Sequence, residues 1–132
     1  MEKSEEKKTP YEILGGEDEL RALVDRFYGH MDSLEETKPI RDLHPKDLRS
    51  SREKLFMFLS GWLGGPDRYI TAFGHPRLRA RHLPFAIGTK ERDQWMHCMK
   101  LAFEELDLED ELKQHLLSTL DQTATHMINQ TE

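Results

Sequence analysis

Gly74-His75-Pro76-Arg77-Leu78-Arg79-Ala80-Arg81-His82-Leu83-Pro84-Phe85 is the stretch on which the reading of this chain turns. It sets arginines and histidines among apolar residues, and Pro84 stops helical hydrogen bonding from running on. It lies in a connection, residues 64–88, that is broken by Gly64, Gly65, Pro66, Gly74, Pro76, Pro84 and Gly88. A long broken connection inside a compact domain is usually functional or disordered. This one also carries Tyr69, Ile70, Phe73, Leu78, Leu83, Phe85 and Ile87, too apolar for a disordered linker. It is therefore expected to pack against a surface that the rest of the chain leaves uncovered. Taken alone it could equally be a basic surface loop, so the flanking sequence has to decide.

Those flanks read as four amphipathic helices. The first, from about Glu17 to Glu35, repeats Leu20, Leu23, Val24, Phe27, Tyr28 and Met31 at steps of three and four. Gly15-Gly16 lets a short helix at Tyr11 to Leu14 turn into it. The second, about Asp47 to Leu63, carries Leu48, Ser51, Leu55, Phe58, Leu59 and Trp62 on one face. Either a Ser50/Glu53 capping box or Asp47 one turn earlier could start it, and Gly64-Gly65-Pro66 ends it. The third follows Thr89 as a cap, with Trp95, Met99, Ala102, Phe103 and Leu106 inward. The fourth runs from about Glu109 to Asn129, with Leu112, Leu116, Leu120, Ala124, Met127 and Ile128 inward. No segment alternates like a strand, so the fold class is all-α.

At 132 residues the chain fits one domain. Residues 1–10 have no apolar core and read as a solvated N-terminal tail rather than a signal peptide, leaving 11–132 as a single domain. The net charge of −6 and the lack of a basic helical stripe argue against a nucleic-acid partner. The longest apolar run, Leu55-Phe56-Met57-Phe58-Leu59, is too short to span a bilayer. A lone cysteine, Cys98, excludes an internal disulfide framework and suits a reducing, cytoplasmic setting.

A histidine in the broken connection can offer a ring nitrogen into an apolar pocket while arginines face outward. An axial imidazole, apolar walls and cations for two propionates are what a haem requires. No Cys-x-x-Cys-His motif is present to attach one covalently. His30, His97, His115 and His126 fall on helices whose inner stripes are already filled, and no His-Glu-x-x-His spacing suggests zinc. His75, between Gly74 and Pro76, reads as a structural turn residue. A helical interaction module without any cofactor remains the alternative.

Arg26-Phe27-Tyr28, Gly64-Gly65-Pro66, Gly74-His75-Pro76-Arg77-Leu78-Arg79, His82-x-Pro84-Phe85 and Glu91-Arg92-Asp93-x-Trp95 occur in order. Together they resemble the truncated haemoglobins of group II, over nearly the whole chain from Tyr11 to about Asn129. The resemblance implies a two-over-two helical sandwich around haem b, with His82 as the proximal iron ligand. It directs the Tyr28 hydroxyl and the Trp95 indole N–H at the iron's ligand. A tyrosine or tryptophan on these stripes would otherwise simply be core. His44, before Pro45, matches a position where family members carry an aromatic or a histidine. It could donate, accept or become a second axial ligand, or be a half-exposed helix-end residue. Ser51 matches a site where many oxygen-carrying globins place a gating side chain. Phe27, Leu55 and Phe58 would line the cofactor on the distal side, and Leu78, Phe85 and Ile87 on the proximal side. Arg81, with Arg79 and Tyr69 behind it, would meet the propionates.

The function implied is reversible binding of dioxygen and other small gaseous ligands at a pentacoordinate iron. Two distal donors would slow release, which suits chemistry, scavenging or sensing better than bulk oxygen transport. The alternative is a haem redox enzyme, a nitric oxide dioxygenase or peroxidase-like catalyst supplied by an external electron donor. A monomer or weak dimer is expected.

Overall fold

The computed structural model describes residues 8–130. Its first helix, α1 (Pro10–Leu14), opens on a closed capping box. The Thr9 hydroxyl accepts from the Glu12 amide at 3.2 Å, and the Glu12 carboxylate accepts from the Thr9 amide at 3.0 Å. Thr9 and Pro10 thus begin the folded domain, a correction to the tail expected over residues 1–10. The remainder of that tail, Met1 to Lys7, lies outside the described residues. Gly15 and Gly16, at φ 122° and 86°, take conformations that only glycine adopts freely and turn the chain into α2 (Glu17–Ser33).

The six residues of the α2 stripe, Leu20, Leu23, Val24, Phe27, Tyr28 and Met31, are all buried. A 3-10 turn over Glu35–Thr37 leads into α3 (Lys38–Asp42). In α4 (Arg49–Trp62) the buried residues are Phe56, Leu59 and Ser60, while Ser51, Leu55, Phe58 and Trp62 are only half-buried. The Ser50/Glu53 capping box does not form. Instead the Asp47 carboxylate accepts from the Arg49 amide at 3.0 Å. Two short helices follow, α5 (Arg68–Phe73) and α6 (Leu78–His82). Gly88, rather than Thr89, caps α7 (Thr89–Glu104), its amide donating to Glu91 Oε1 at 2.8 Å. The last helix is α8 (Asp110–His126).

Helices α2 and α4 form one packed pair and α7 and α8 the other, with α2 against α7 as the seam between them. This is the two-over-two sandwich, and the described residues contain no strand. The core is continuous across the seam, from Leu20, Leu23, Phe27 and Met31 through Phe56 and Leu59 to Met99, Ala102, Phe103, Leu116 and Leu120. The buried hydroxyls of Thr37 and Ser60 are satisfied: Thr37 donates to Met31 O and Leu34 O, both at 3.0 Å, and Ser60 donates to Pro66 O at 2.8 Å. No helix among the described residues is long and apolar enough to cross a membrane.

This packing separates core from surface in a measurable way. Leu23→Ala, at a site 1% exposed, should lower unfolding free energy by about 2–5 kcal/mol in urea titration without changing the slope. Ser50→Ala, at an exposed residue that caps nothing, should change it by less than about 0.5 kcal/mol.

Candidate functional site

Helix α6 is one turn long and buries none of its residues. Its last residue, His82, is half-buried and holds Nδ1 2.6 Å from the Leu78 carbonyl oxygen. A carbonyl only accepts, so in the neutral ring Nδ1 carries the proton and Nε2 keeps its lone pair. That is the tautomer and anchorage a metal-ligating imidazole needs.

Three residues singled out on the distal side are brought together by ring contacts. Phe27 has no exposed surface and meets Tyr28 edge-to-face at 4.8 Å and Trp95 at 5.1 Å between centroids. It stands behind the two polar-tipped rings rather than lining an open surface, which changes the role expected of it. Tyr28 in turn meets His44 edge-to-face at 5.8 Å. Its hydroxyl donates to Ser51 O at 3.4 Å, a long bond that holds it weakly. Burial pushes the Tyr28 phenol well above its ordinary range, so it stays a protonated donor.

His44 Nδ1 lies 2.9 Å from Ile40 O, so its neutral ring also leaves Nε2 as a lone pair. Burial, then the nearby charges of Arg41 and His82, pull its pKa below the usual 6.5 against the opposing pull of the Ile40 bond. Of the roles open to His44, donation is the one this tautomer removes. The donors left are the Tyr28 O–H and the Trp95 N–H, which can only donate.

Between these sides the apolar surface is incompletely covered. Leu55, Phe58, Trp62, Leu78, Trp95 and Met127 are half-buried, and Leu83 and Phe85 are 55% and 42% exposed. A cavity of about 610 Å³, lined by Phe58, Leu78, Ala80, Thr123 and Met127 among others, lies between α4, α6 and α8. It is open to solvent, and His82, Tyr28, His44 and Trp95 do not line it. The donor set and the uncovered apolar band both fit a haem: one anchored imidazole, apolar walls and arginines at the rim.

The other expected residues are distributed as follows. Ile87 is buried, and Tyr69 is buried with its ring 5.0 Å from Phe73. Arg81 is exposed, donates from Nε to Pro76 O at 2.7 Å and stacks its guanidinium 5.6 Å from the Tyr69 ring centroid. Arg79 departs from the expectation of a propionate partner. Its Nη1 donates to His126 O at 2.6 Å and Ile128 O at 2.9 Å, the orphan carbonyls at the end of α8. Sequence reasoning missed Asn129, which binds the loop after His82, and Gln94, whose Oε1 accepts from Ile40 N at 3.1 Å. It also missed Arg41, which ties Asp32 to the Pro45 and Lys46 carbonyls beside His44. No local pattern marks Asn129 and Gln94, because their partners are distant in sequence.

The family model of bacterial-like globins matches residues 9–129. The chain is 46% identical to a group 2 truncated hemoglobin of Bacillus subtilis strain 168, over 93% of this chain and 90% of that protein. It superposes with a TM-score of 0.93 on the group II 2-on-2 hemoglobin of Agrobacterium tumefaciens, at 41% identity over 98% of this chain and all of that one. A truncated haemoglobin from Bacillus subtilis, described as oxygen-avid, gives a TM-score of 0.82 at 43% identity, covering 92% of this chain and all of the other.

The buried His44 has a consequence for pH dependence. Its folded pKa lies below 6.5, so the unfolded chain binds the proton first as pH falls. Stability should therefore decline as pH drops from about 6.5 toward the folded value, and be unaffected by His44 above that. Unfolding titrations across this window should show a shallower pH slope for His44→Phe than for the unaltered chain. An equal slope would assign the dependence elsewhere.

Proposed function

Because this chain belongs to the bacterial-like globin family, we propose that it is a haem b protein that binds dioxygen and other small diatomic ligands reversibly. His82 would hold the iron, and Tyr28 and Trp95 would steady the ligand. The observation that carries this reading is the state of His82. Its Nδ1 is tied to Leu78 O and its Nε2 lone pair is available, on a helix that buries nothing of its own.

When bound, the haem supplies a ferrous iron that takes a diatomic gas reversibly. Everything else belongs to this chain's own residues. Tyr28 O–H and Trp95 N–H, held from behind by the wholly buried Phe27, supply two donors suited to a ligand that carries partial negative charge. The long 3.4 Å bond from Tyr28 to Ser51 O leaves that hydroxyl little to give up in turning to a ligand. His44, whose ring meets Tyr28 edge-to-face at 5.8 Å, packs beside the Tyr28 ring and offers no donor of its own from Nε2. Ser51 adds no bulk over the site. The half-buried Leu55 and Phe58 exclude water from it, which strengthens each hydrogen bond. With Cys98 buried on α7, attachment of the haem would be non-covalent. A site with two pre-aimed donors releases its ligand slowly, the behaviour that the Bacillus subtilis relative's description as oxygen-avid supports.

Haem-loaded protein, reduced and re-exposed to air, should show a strong Soret band and a stable oxygenated spectrum. Absence of stoichiometric haem uptake would remove the reading. Each charge-assisted bond contributes about 1.5–3 kcal/mol. Trp95→Phe and Tyr28→Phe should therefore each speed oxygen release in stopped-flow by roughly tenfold to a hundredfold. Release from either variant at the unaltered rate would strike that residue from the ligand's hydrogen bonds.

A further inference from the structure

The helix that carries His82 does not hold itself in place. It is one turn long, buries no side chain and starts from Arg77, which sits in the left-handed region at φ 47°. Its fixed points lie on the far end of the chain. Asn129, three residues past the end of α8, commits both ends of its carboxamide and its backbone amide to the segment from His82 to Ile87. Its Nδ2 donates to His82 O at 3.2 Å and to Phe85 O at 2.8 Å. Its Oδ1 accepts from the Ile87 amide at 3.0 Å, and its own amide donates to Ile87 O at 2.8 Å. Arg79 closes the same joint from the other direction through His126 O and Ile128 O. One carboxamide thus grips the backbone of His82 itself, and the fit uses both its donor and its acceptor ends.

We propose that Asn129, with Arg79, is the positioning residue for the iron-ligating histidine, setting the placement of the His82 ring and the retention of the haem. This rests on the reading of His82 as the ligand. The chemistry is mechanical: His82 Nδ1 is bonded to Leu78 O, so the ring moves with the α6 backbone, and the α6 backbone is held from α8. The main core between α2, α4, α7 and α8 does not include these bonds. Their loss should change the site without unfolding the chain.

The experiment compares Asn129→Ala and Asn129→Asp with the unaltered chain, apo and haem-loaded. In the apo-protein, hydrogen exchange at the Ile87 amide should accelerate about tenfold for Asn129→Ala, the effect of losing one hydrogen bond of ordinary strength. It should stay near the unaltered rate for Asn129→Asp, which keeps the acceptor. In the haem-loaded ferrous protein, both variants should shift the iron–histidine stretching band in resonance Raman and lose haem to apomyoglobin about tenfold faster or more. Asn129→Asp should be affected at least as strongly, because its carboxylate faces the His82 and Phe85 carbonyls. Faster Ile87 exchange with an unchanged Raman band would overturn the proposal and leave Asn129 a simple loop staple. Unchanged exchange and unchanged haem loss would overturn it as well. An unaltered chain that shows no Soret band fails the haem reading itself, and the proposal with it. That failure is visible before either variant is compared.

Discussion

A single helical turn is not stable in water on its own, because nucleating it fixes several residues for one or two hydrogen bonds. Helix α6 is such a turn, and it carries His82 without burying any side chain to compensate. The placement of His82 must therefore come from bonds made to α6 by other parts of the chain. They are polar and directional: Asn129 donates to His82 O, Arg79 on α6 donates to the His126 and Ile128 carbonyls, and Arg81 Nε bonds Pro76 O. His75 Nδ1 accepts the Arg77 amide at 3.1 Å, just where the backbone enters the left-handed region. A non-glycine residue there persists when its neighbours over-determine it, so His75 belongs to the scaffold of the turn, as its position between Gly74 and Pro76 leads one to expect.

The opposite side is built on another principle. Tyr28 and Trp95 belong to long helices whose apolar faces make the core, and Phe27 meets both rings edge-to-face, at 79° and 63°. Burial does the electrostatic work there. It keeps the Tyr28 phenol protonated and the His44 ring neutral, so the distal side offers two donors and one lone pair without a formal charge of its own. His44 sits outside that rigid pair, on the segment between α3 and α4. Arg41 of α3 bonds the Pro45 and Lys46 carbonyls of this segment and the Asp32 carboxylate of α2, and Gln94 of α7 accepts from the Ile40 amide of α3.

Much of this was legible in the residues, for a physical reason. The α2 stripe of Leu20, Leu23, Val24, Phe27, Tyr28 and Met31 is buried in full, because a period of three and four leaves one face no other place to go. The half-buried state of Leu55, Phe58 and Trp62 was not legible. Spacing marks a face as apolar but does not say whether protein covers it, and here the apolar faces of α4 and α6 border a cavity. The α7 cap was read one residue off, and of the two starts open for α4 the Asp47 carboxylate, not the Ser50/Glu53 box, takes a helix amide. Asn129 and Gln94 left no trace in the sequence, since a side chain bonding backbone groups more than forty residues away has no periodicity. Arg79 was visible as a cation, but its partners were not. The geometry gives it to the end of α8.

These two modes of construction divide the labour of the site. On the distal side, hydrogen-bond geometry and fold stability share the same residues: a change at Phe27 would disturb the donors only by also opening the core, at a cost of about 3–5 kcal/mol. Variation there is confined to the polar tips. On the proximal side the bonds that place His82 are separate from the core, so they can be altered one at a time while the four main helices stay packed. On the proposed haem reading, cofactor retention and the set of His82 are therefore open to adjustment through a few polar side chains. Tyr28 and Trp95 stay fixed by packing. A two-over-two fold of this size has little core to spare. Placing the adjustable contacts outside that core lets the cofactor site change without loss of the fold.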